Sequence, residues 1–181
     1  MDHALVWQVQ SPPSTLRAHV RQLLRAILAH ALGMADDALV VDFTAGQAPR
    51  VNANWHGRPI AISLSHVDDW AWLAICPGRR AGIDATAIAA LPDWQSVARL
   101  YLGPTRTQQL AAHSADTRDS AYAMAWSELE ARGKCLGLGL QEFTPEVHAR
   151  LHAPAIQCSA WVTRHAPSGP AYAIALALAP A

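Results

Sequence analysis

The C-terminal stretch AYAIALALAPA, residues 171–181, decides the fold class of this chain. Large side chains alternate with alanines along it, at Tyr172, Ile174, Leu176 and Leu178. Successive side chains of a strand point to opposite faces of a sheet, so this period predicts a buried strand. One face is bulky, and the other is small enough for a helix to pack closely. The stretch is also far shorter than the roughly 20 residues that a membrane-spanning helix needs.

The rest of the chain shows the same mixture of patterns. Apolar residues recur at helical spacing from Ser11 to Gly33, and further helices are predicted at 94–102 and 117–136. Strands are predicted at 4–9, within 38–52, and at 58–66, 70–76, 140–151, 155–165 and 171–178. We therefore expect an α+β fold of two halves, 1–80 and 81–181, related by a pseudo-twofold axis. Each half would be a helix packed on a small, mainly antiparallel sheet, with a ligand cleft between the halves.

Composition narrows the classes of function. Of the 181 residues 51% are hydrophobic, which is ample for a core, and 14 basic side chains cancel 14 acidic ones. No overall field therefore draws the protein to nucleic acid or to an anionic membrane, and any bound anion must be held by local charge.

Neither the cysteines nor the histidines predict a metal centre. Three cysteines without a CxxC pair argue against a disulfide framework and a zinc site, and they favour a cytoplasmic location. The pair His148 and His152 lies in a predicted strand, which would hold the two rings about 13 Å apart and exclude a zinc site there. The N-terminus lacks the basic flank of a secretory signal.

Polar side chains interrupt the apolar pattern at three places. The segment WSELEARGK, residues 126–134, puts Glu130 and Lys134 on one helix face, one turn apart. Such a pair is either a surface ion pair, worth a few tenths of a kcal/mol, or two groups that face a shared charged ligand. LSH at 64–66 and GID at 82–84 are polar islands within apolar strands, and polar residues at strand ends often form sites.

In this order and at these separations, ISLSHVDDWAWLAI, AGID and AWSELEARGKCLGLGL resemble the motifs of the 4′-phosphopantetheinyl transferases of the surfactin-synthetase type. The family pattern is Ser-His after a strand, then Gly-Ile-Asp-x-Glu, then Trp-(Ser/Thr)-x-Lys-Glu-(Ala/Ser)-x-x-Lys and a glycine-rich loop. The similarity covers residues 57–142. It implies an enzyme that moves the 4′-phosphopantetheine group of coenzyme A to a serine of an apo acyl, peptidyl or aryl carrier protein, releasing 3′,5′-ADP. We expect a monomer with these two partners and neither nucleic acid nor membrane.

The resemblance also implies roles for particular residues. Asp84 and Glu130 would hold Mg²⁺ or Mn²⁺, which take hard oxygen ligands. Glu130 would also act as the base for the carrier serine, and Lys134 would meet the pyrophosphate as a cation. His66, with Ser65 beside it, would contact a phosphate of coenzyme A.

Three arginines complete the expected coenzyme A site. Arg58 occupies the place of a basic residue that the family uses near the nucleotide, and Arg17 or Arg25 on the first helix would supply another phosphate contact. A turn-flanking surface arginine remains the other interpretation of Arg58, and a structural histidine that of His66.

The sequence departs from the family pattern at two positions. Thr86 stands in GIDAT where a second carboxylate is usual, and Leu129 replaces a lysine. Asp84 and Glu130 still carry about two negative charges, enough to balance one Mg²⁺. The departures leave two alternatives open: a catalytically degraded relative that acts as a coenzyme A or carrier-protein binding module, and an α+β protein of unrelated function.

Overall fold

The structure is a computed structural model that describes residues 3–35 and 37–181. In chain order the elements are β1 (Leu5–Gln10), α1 (Pro13–Leu32), β2 (Val41–Asp42), β3 (Arg50–Val51), β4 (Asn54–Trp55), β5 (Arg58–Val67), β6 (Trp70–Pro77), β7 (Arg79–Ala87), α2 (Trp94–Tyr101), α3 (Gly103–Ala111), α4 (Ala115–Leu136), α5 (Pro145–Leu151), β8 (Gln157–Arg164) and β9 (Ala171–Pro180). The strand pairs are antiparallel. The mixed α+β class predicted from the sequence is confirmed. None of the described helices is long and apolar enough to cross a membrane.

The strands form two larger sheets, each covered by one long helix. The first has the order β1-β6-β5-β4 and packs against α1, whose buried residues Leu16, Val20, Leu24 and Leu28 follow helical spacing. The second has the order β7-β9-β8 and packs against α4. Gly33 ends α1 in the left-handed conformation (φ 63°), at the residue where the sequence predicts the end.

The two faces of β9 are used as its alternating pattern predicts. Ala175 and Ala177 lie in one buried cluster with Ala131 of α4, whereas Tyr172 and Ile174 pack in another cluster on the other face. Small side chains on one face let the helix approach the sheet, and large ones on the other fill the core.

Gly82 lets α4 approach the neighbouring strand β7 equally closely. A Cβ atom at this position would overlap the carbonyl oxygen of Ala131 and the backbone nitrogen of Cys135. Only glycine therefore fits between the strand and the helix at their present separation. This close contact sets the position of the α4 side chains relative to Asp84, which follows on β7.

Two serine hydroxyls join the two sheets where β5 lies beside β7. Ser63 Oγ accepts a hydrogen bond from the backbone nitrogen of Ile83 at 2.9 Å, and Ser65 Oγ accepts one from that of Ala85 at 3.0 Å. Both serines are buried. At these two positions side-chain oxygens accept from β7, and we refer to this contact between β5 and β7 as the seam.

The prediction of a strand over 140–151 is wrong, because this region contains the helix α5. Thr144 caps α5, its hydroxyl accepting a hydrogen bond from the backbone nitrogen of Val147 at 3.2 Å, and Pro145 follows in the first turn. The rings of His148 and His152 are therefore stacked with centroids 4.1 Å apart, so the strand-based reason for excluding a zinc site fails. The helix α3 (Gly103–Ala111) was not predicted from the sequence.

Candidate functional site

Asp84 lies at the centre of a hydrogen-bonded group formed by β5, β7 and α4. Lys134 Nζ donates to Asp84 Oδ1 at 2.7 Å and to the carbonyl oxygen of Ile83 at 3.3 Å. Ser65 Oγ donates to the same Oδ1 atom at 3.0 Å. Asp84 is only 6% exposed, so these charged and polar partners are what allow a carboxylate to be buried there.

The second carboxylate oxygen of Asp84 meets two hydroxyl groups in series. Thr86 Oγ1 donates to Asp84 Oδ2 at 3.2 Å, and Ser127 Oγ lies 2.8 Å from Thr86 Oγ1. Ser127 also lies 3.0 Å from the carbonyl oxygen of Ala173 and has no exposed surface. Thr86, where a carboxylate was expected, therefore supplies a hydrogen bond to Asp84.

Glu130 projects from α4 one turn before Lys134. The ion pair that Lys134 makes is with Asp84, fifty residues away in sequence, rather than with Glu130. Among the described residues none donates a hydrogen bond to the Glu130 carboxylate. Burial raises the pKa of Glu130, and the negative charge of Asp84 raises it further, while Lys134 lowers it. Glu130 is therefore available to take a proton or to bind a cation.

A cavity of about 460 Å³ opens over these carboxylates, and we call it the acidic cavity. Asp84, Thr86 and Glu130 line it, and Trp126 closes one side. The ring of Trp126 is held by an edge contact with Tyr101 at 5.5 Å between centroids. The aromatic wall is thus fixed by packing on α2.

Asp84 and Glu130 present carboxylate oxygens to the acidic cavity, the ligand type that magnesium and manganese ions take. Within residues 3–35 and 37–181, no three His, Cys, Asp or Glu side chains form a metal-holding group, so the protein supplies two carboxylates, Asp84 and Glu130. Magnesium is usually held by one or two carboxylates together with water and substrate phosphate. Lys134 offsets part of the repulsion between Asp84 and Glu130, and a cation beside both carboxylates would offset more of it.

A second cavity, of about 670 Å³, adjoins the first, and we call it the basic cavity. Arg17, Arg21, Arg50 and Lys134 supply its positive charge, and His66 contributes an imidazole. Arg17, His66 and Lys134 line both cavities. A chain with no net charge thus concentrates four cations around one opening, which favours an anionic ligand.

His66 is held in its neutral form more strongly than an isolated histidine. Partial desolvation of the ring lowers its pKa, and the charges of Arg17, Lys134 and Arg21 lower it further, although much of the residue is exposed. At neutral pH the imidazole therefore offers hydrogen bonds rather than a positive charge.

Two of the residues predicted to contact coenzyme A lie away from the cavities. Arg58 begins β5, near the opposite end from His66, which at about 3.3 Å per residue is roughly 26 Å away. Arg25 Nη2 donates to the carbonyl oxygen of Leu39 at 3.4 Å. Neither is among the described residues that line the acidic or the basic cavity.

Two arginines that were not predicted as site residues, Arg21 and Arg50, line the basic cavity. Arg21 follows Arg17 by one helical turn, and its guanidinium lies over the Phe43 ring, 4.9 Å from the centroid. The helical period of α1 would have identified Arg21 once Arg17 was chosen. Arg50 reaches the basic cavity through the segment 43–50, whose position depends on tertiary packing and left no local signal.

No protein-family model matches this sequence, and no curated protein matches it.

Proposed function

We propose that this protein transfers the 4′-phosphopantetheine group of coenzyme A to a serine of an acyl, peptidyl or aryl carrier protein and releases 3′,5′-ADP. The observation that carries the proposal is the meeting of Asp84, Glu130 and Lys134 beside a basic cavity. Carboxylates beside a cluster of cations are the groups that transfer between a pyrophosphate and a hydroxyl requires. The three motifs that resemble the transferase family supply these residues.

The proposed cleft lies between two halves, residues 1–80 and 81–181, related by a pseudo-twofold axis. The seam supports this division, because β5 and β7 meet there across the boundary. In the proposal the phosphates of coenzyme A occupy the basic cavity, held by Arg17, Arg21 and Arg50, and the pyrophosphate reaches Lys134. Two of the three Lys134 donors are used by Asp84 and Ile83, which leaves one for a phosphate oxygen.

In the reaction, the carrier serine Oγ attacks the β-phosphorus of the pyrophosphate. The new Oγ–phosphorus bond forms while the bond from that phosphorus to the bridging oxygen breaks, and 3′,5′-ADP leaves with this oxygen. The serine proton passes to the carboxylate of Glu130, which lines the acidic cavity. A bound Mg²⁺ or Mn²⁺ would neutralise phosphate charge, and Asp84 and Glu130 would hold it.

A second candidate function is a coenzyme A or carrier-protein binding module without transfer activity. The occupancy of Asp84 favours it, since Lys134 and Ser65 both donate to Oδ1 and Thr86 donates to Oδ2. A carboxylate that accepts three hydrogen bonds has only one of its about four lone-pair sites left for a cation.

A transfer assay separates the two candidates. The protein is incubated with coenzyme A, Mg²⁺ and a panel of apo acyl, peptidyl and aryl carrier proteins, and the carriers are analysed by intact mass. We expect one carrier class to gain the mass of phosphopantetheine on its serine, with equimolar 3′,5′-ADP. Calorimetric binding of coenzyme A without mass gain on any carrier would favour the module, and absence of both would reject the two candidates together.

A further inference from the structure

We infer that Thr86 and Ser127 form a relay of two hydroxyl groups that positions Asp84 to bind the divalent cation through a single oxygen, Oδ2. Thr86 is a positioning residue: it occupies the position of the family's second carboxylate, but it orients Asp84 and does not bind the cation itself. The inference deepens the proposed function and rests on it for the identity of the cation as Mg²⁺ or Mn²⁺. The contacts of Asp84 carry it.

The hydrogen bonds to Asp84 leave one of its oxygens partly free. An ionised carboxylate has about four lone-pair sites, two on each oxygen. Lys134 Nζ at 2.7 Å and Ser65 Oγ at 3.0 Å use both sites of Oδ1. Thr86 Oγ1 at 3.2 Å uses one site of Oδ2. One site, on Oδ2, carries none of these hydrogen bonds, and Asp84 lines the acidic cavity together with Glu130.

Ser127 fixes the direction of the Thr86 hydroxyl. Its Oγ lies 2.8 Å from Thr86 Oγ1 and 3.0 Å from the carbonyl oxygen of Ala173, the residue that pairs with Thr86 across β7 and β9. Because Ser127 is fully buried, water does not compete for these contacts. Ser127 has one hydroxyl proton, and when it donates this proton to Thr86 Oγ1 the Thr86 proton is left for Asp84 Oδ2. The relay then connects α4 with β7 through one carboxylate.

With the relay, two carboxylates, Asp84 and Glu130, are sufficient to hold the cation. A glutamate at position 86 would offer a third negative group, whereas Thr86 adds none and restricts the rotation of Asp84. Carboxylates that bind metal ions are usually held by such outer hydrogen bonds, whose loss lowers metal affinity by about 10- to 100-fold. Asp84 and Glu130 then balance one divalent cation, with the remaining ligands supplied by water and phosphate.

The test is the affinity of the purified protein for Mn²⁺, measured by electron paramagnetic resonance of the free ion at a temperature where every variant is folded. We expect Thr86→Val to raise the dissociation constant about 10-fold or more, Ser127→Ala to raise it by less, and Thr86→Ser to restore the wild-type value. Thr107→Val is the matched control, because its hydroxyl is also buried and donates to Gly103 at 2.7 Å on α3. It should lower stability without changing Mn²⁺ affinity.

The outcomes separate the relay from the proposed function. Equal Mn²⁺ affinity in wild type and Thr86→Val overturns the relay while leaving the transfer assay free to succeed. A wild-type protein that binds no Mn²⁺ overturns the relay and the cation site together. Independent, additive effects of Thr86→Val and Ser127→Ala in a double-mutant cycle would also contradict a connected relay, since members of one network couple. Weakened Mn²⁺ binding in a protein without transfer activity supports the relay and rejects the function.

Discussion

The carboxylates of the acidic cavity are buried or half-buried on β7 and α4, whereas three of the four cations of the basic cavity are exposed arginines on α1 and β3. In the first, Asp84 is fixed by three donors within 3.2 Å, and the approach of α4 is set by Gly82. In the second, charge is concentrated by long side chains that water still reaches. Substitutions in the acidic cavity should therefore change the rate of transfer or the stability of the fold. Substitutions in the basic cavity should change the affinity for an anionic ligand, and this change should become smaller as salt is added.

The largest expected effect is on the proposed base in the acidic cavity. Glu130→Gln keeps the shape of the side chain and removes its capacity to take a proton, so we expect the transfer rate to fall by about 10²- to 10⁴-fold. Glu128→Gln is the matched control, since Glu128 lies on the same helix but pairs with Arg106 at 3.5 Å. Single-turnover assays with a carrier protein measure both. A Glu130→Gln enzyme with wild-type rate would remove Glu130 from the mechanism.

Gly82→Ala tests whether the acidic cavity depends on helix packing. The added Cβ would overlap backbone atoms of α4, and we expect unfolding free energy to fall by about 2 kcal/mol or more, as in overpacked cores. Gly139→Ala is the control, because a Cβ there meets nothing within 4 Å. Urea unfolding measures the two changes. Most of the affinity for 3′,5′-ADP should be retained at temperatures where the variant is folded, because only Lys134 among the four cations of the basic cavity is on α4. Equal stability of the two variants would contradict the close contact.

In the basic cavity we expect smaller, salt-dependent effects. Arg21→Ala should weaken binding of 3′,5′-ADP about 3- to 10-fold at low salt and less at high salt, because exposed charges are screened. Arg25→Ala, one turn further along α1 and outside the cavity lining, should leave the affinity unchanged. Calorimetry at two salt concentrations provides the measurement. Equal losses in the two variants would show that general positive charge, not this cavity, holds the anion.

The smallest effect concerns two histidines, one in each of two separate regions. Desolvation lowers the pKa of His66 in the basic cavity, and that of His152 directly after α5, below the value of 6.5. The unfolded chain therefore binds more protons than the folded one as pH falls below about 6.5, so both groups reduce stability in acid and contribute nothing above that pH. His66→Gln and His152→Gln should each flatten the fall in melting temperature between pH 7.5 and 5.5. A bound phosphate-bearing ligand should reduce the acid effect of His66 alone; a steeper pH dependence in either variant would contradict the sign.

The sequence predicted those parts of the site that lie within one periodic element. The alternation of β9 and the helical spacing of Glu130 and Lys134 depend only on local geometry, and both faces are found where expected. Predictions across elements were weaker. Arg58, which is near the motifs in sequence, and Arg25 on α1 both lie outside the two cavities, while Arg50 enters through the packing of segment 43–50. The helix α5 was not predicted, although Thr144 followed by Pro145 is a start signal for a helix.

The contacts around Thr86 involve three elements, namely β7, α4 and β9. Thr86 stands where the family pattern has a carboxylate, and the difference in residue type does not indicate what the Thr86 hydroxyl contacts. Its hydroxyl lies 2.8 Å from that of Ser127, forty-one residues further along, a contact that no local pattern could reveal. A residue type tells what a side chain can donate, and the fold decides to which atom.

The seam between β5 and β7 makes two amide protons into reporters of internal motion. The amides of Ile83 and Ala85 are bonded to the hydroxyls of Ser63 and Ser65, on side chains that can rotate without unpairing either sheet. Their hydrogen exchange should therefore proceed through a local opening that costs less free energy than global unfolding. Since Ser65 also holds Asp84, the exchange rate of the Ala85 amide would follow how firmly a ligand closes the cavities. The seam thus offers a measure of ligand binding that requires no carrier protein and no turnover.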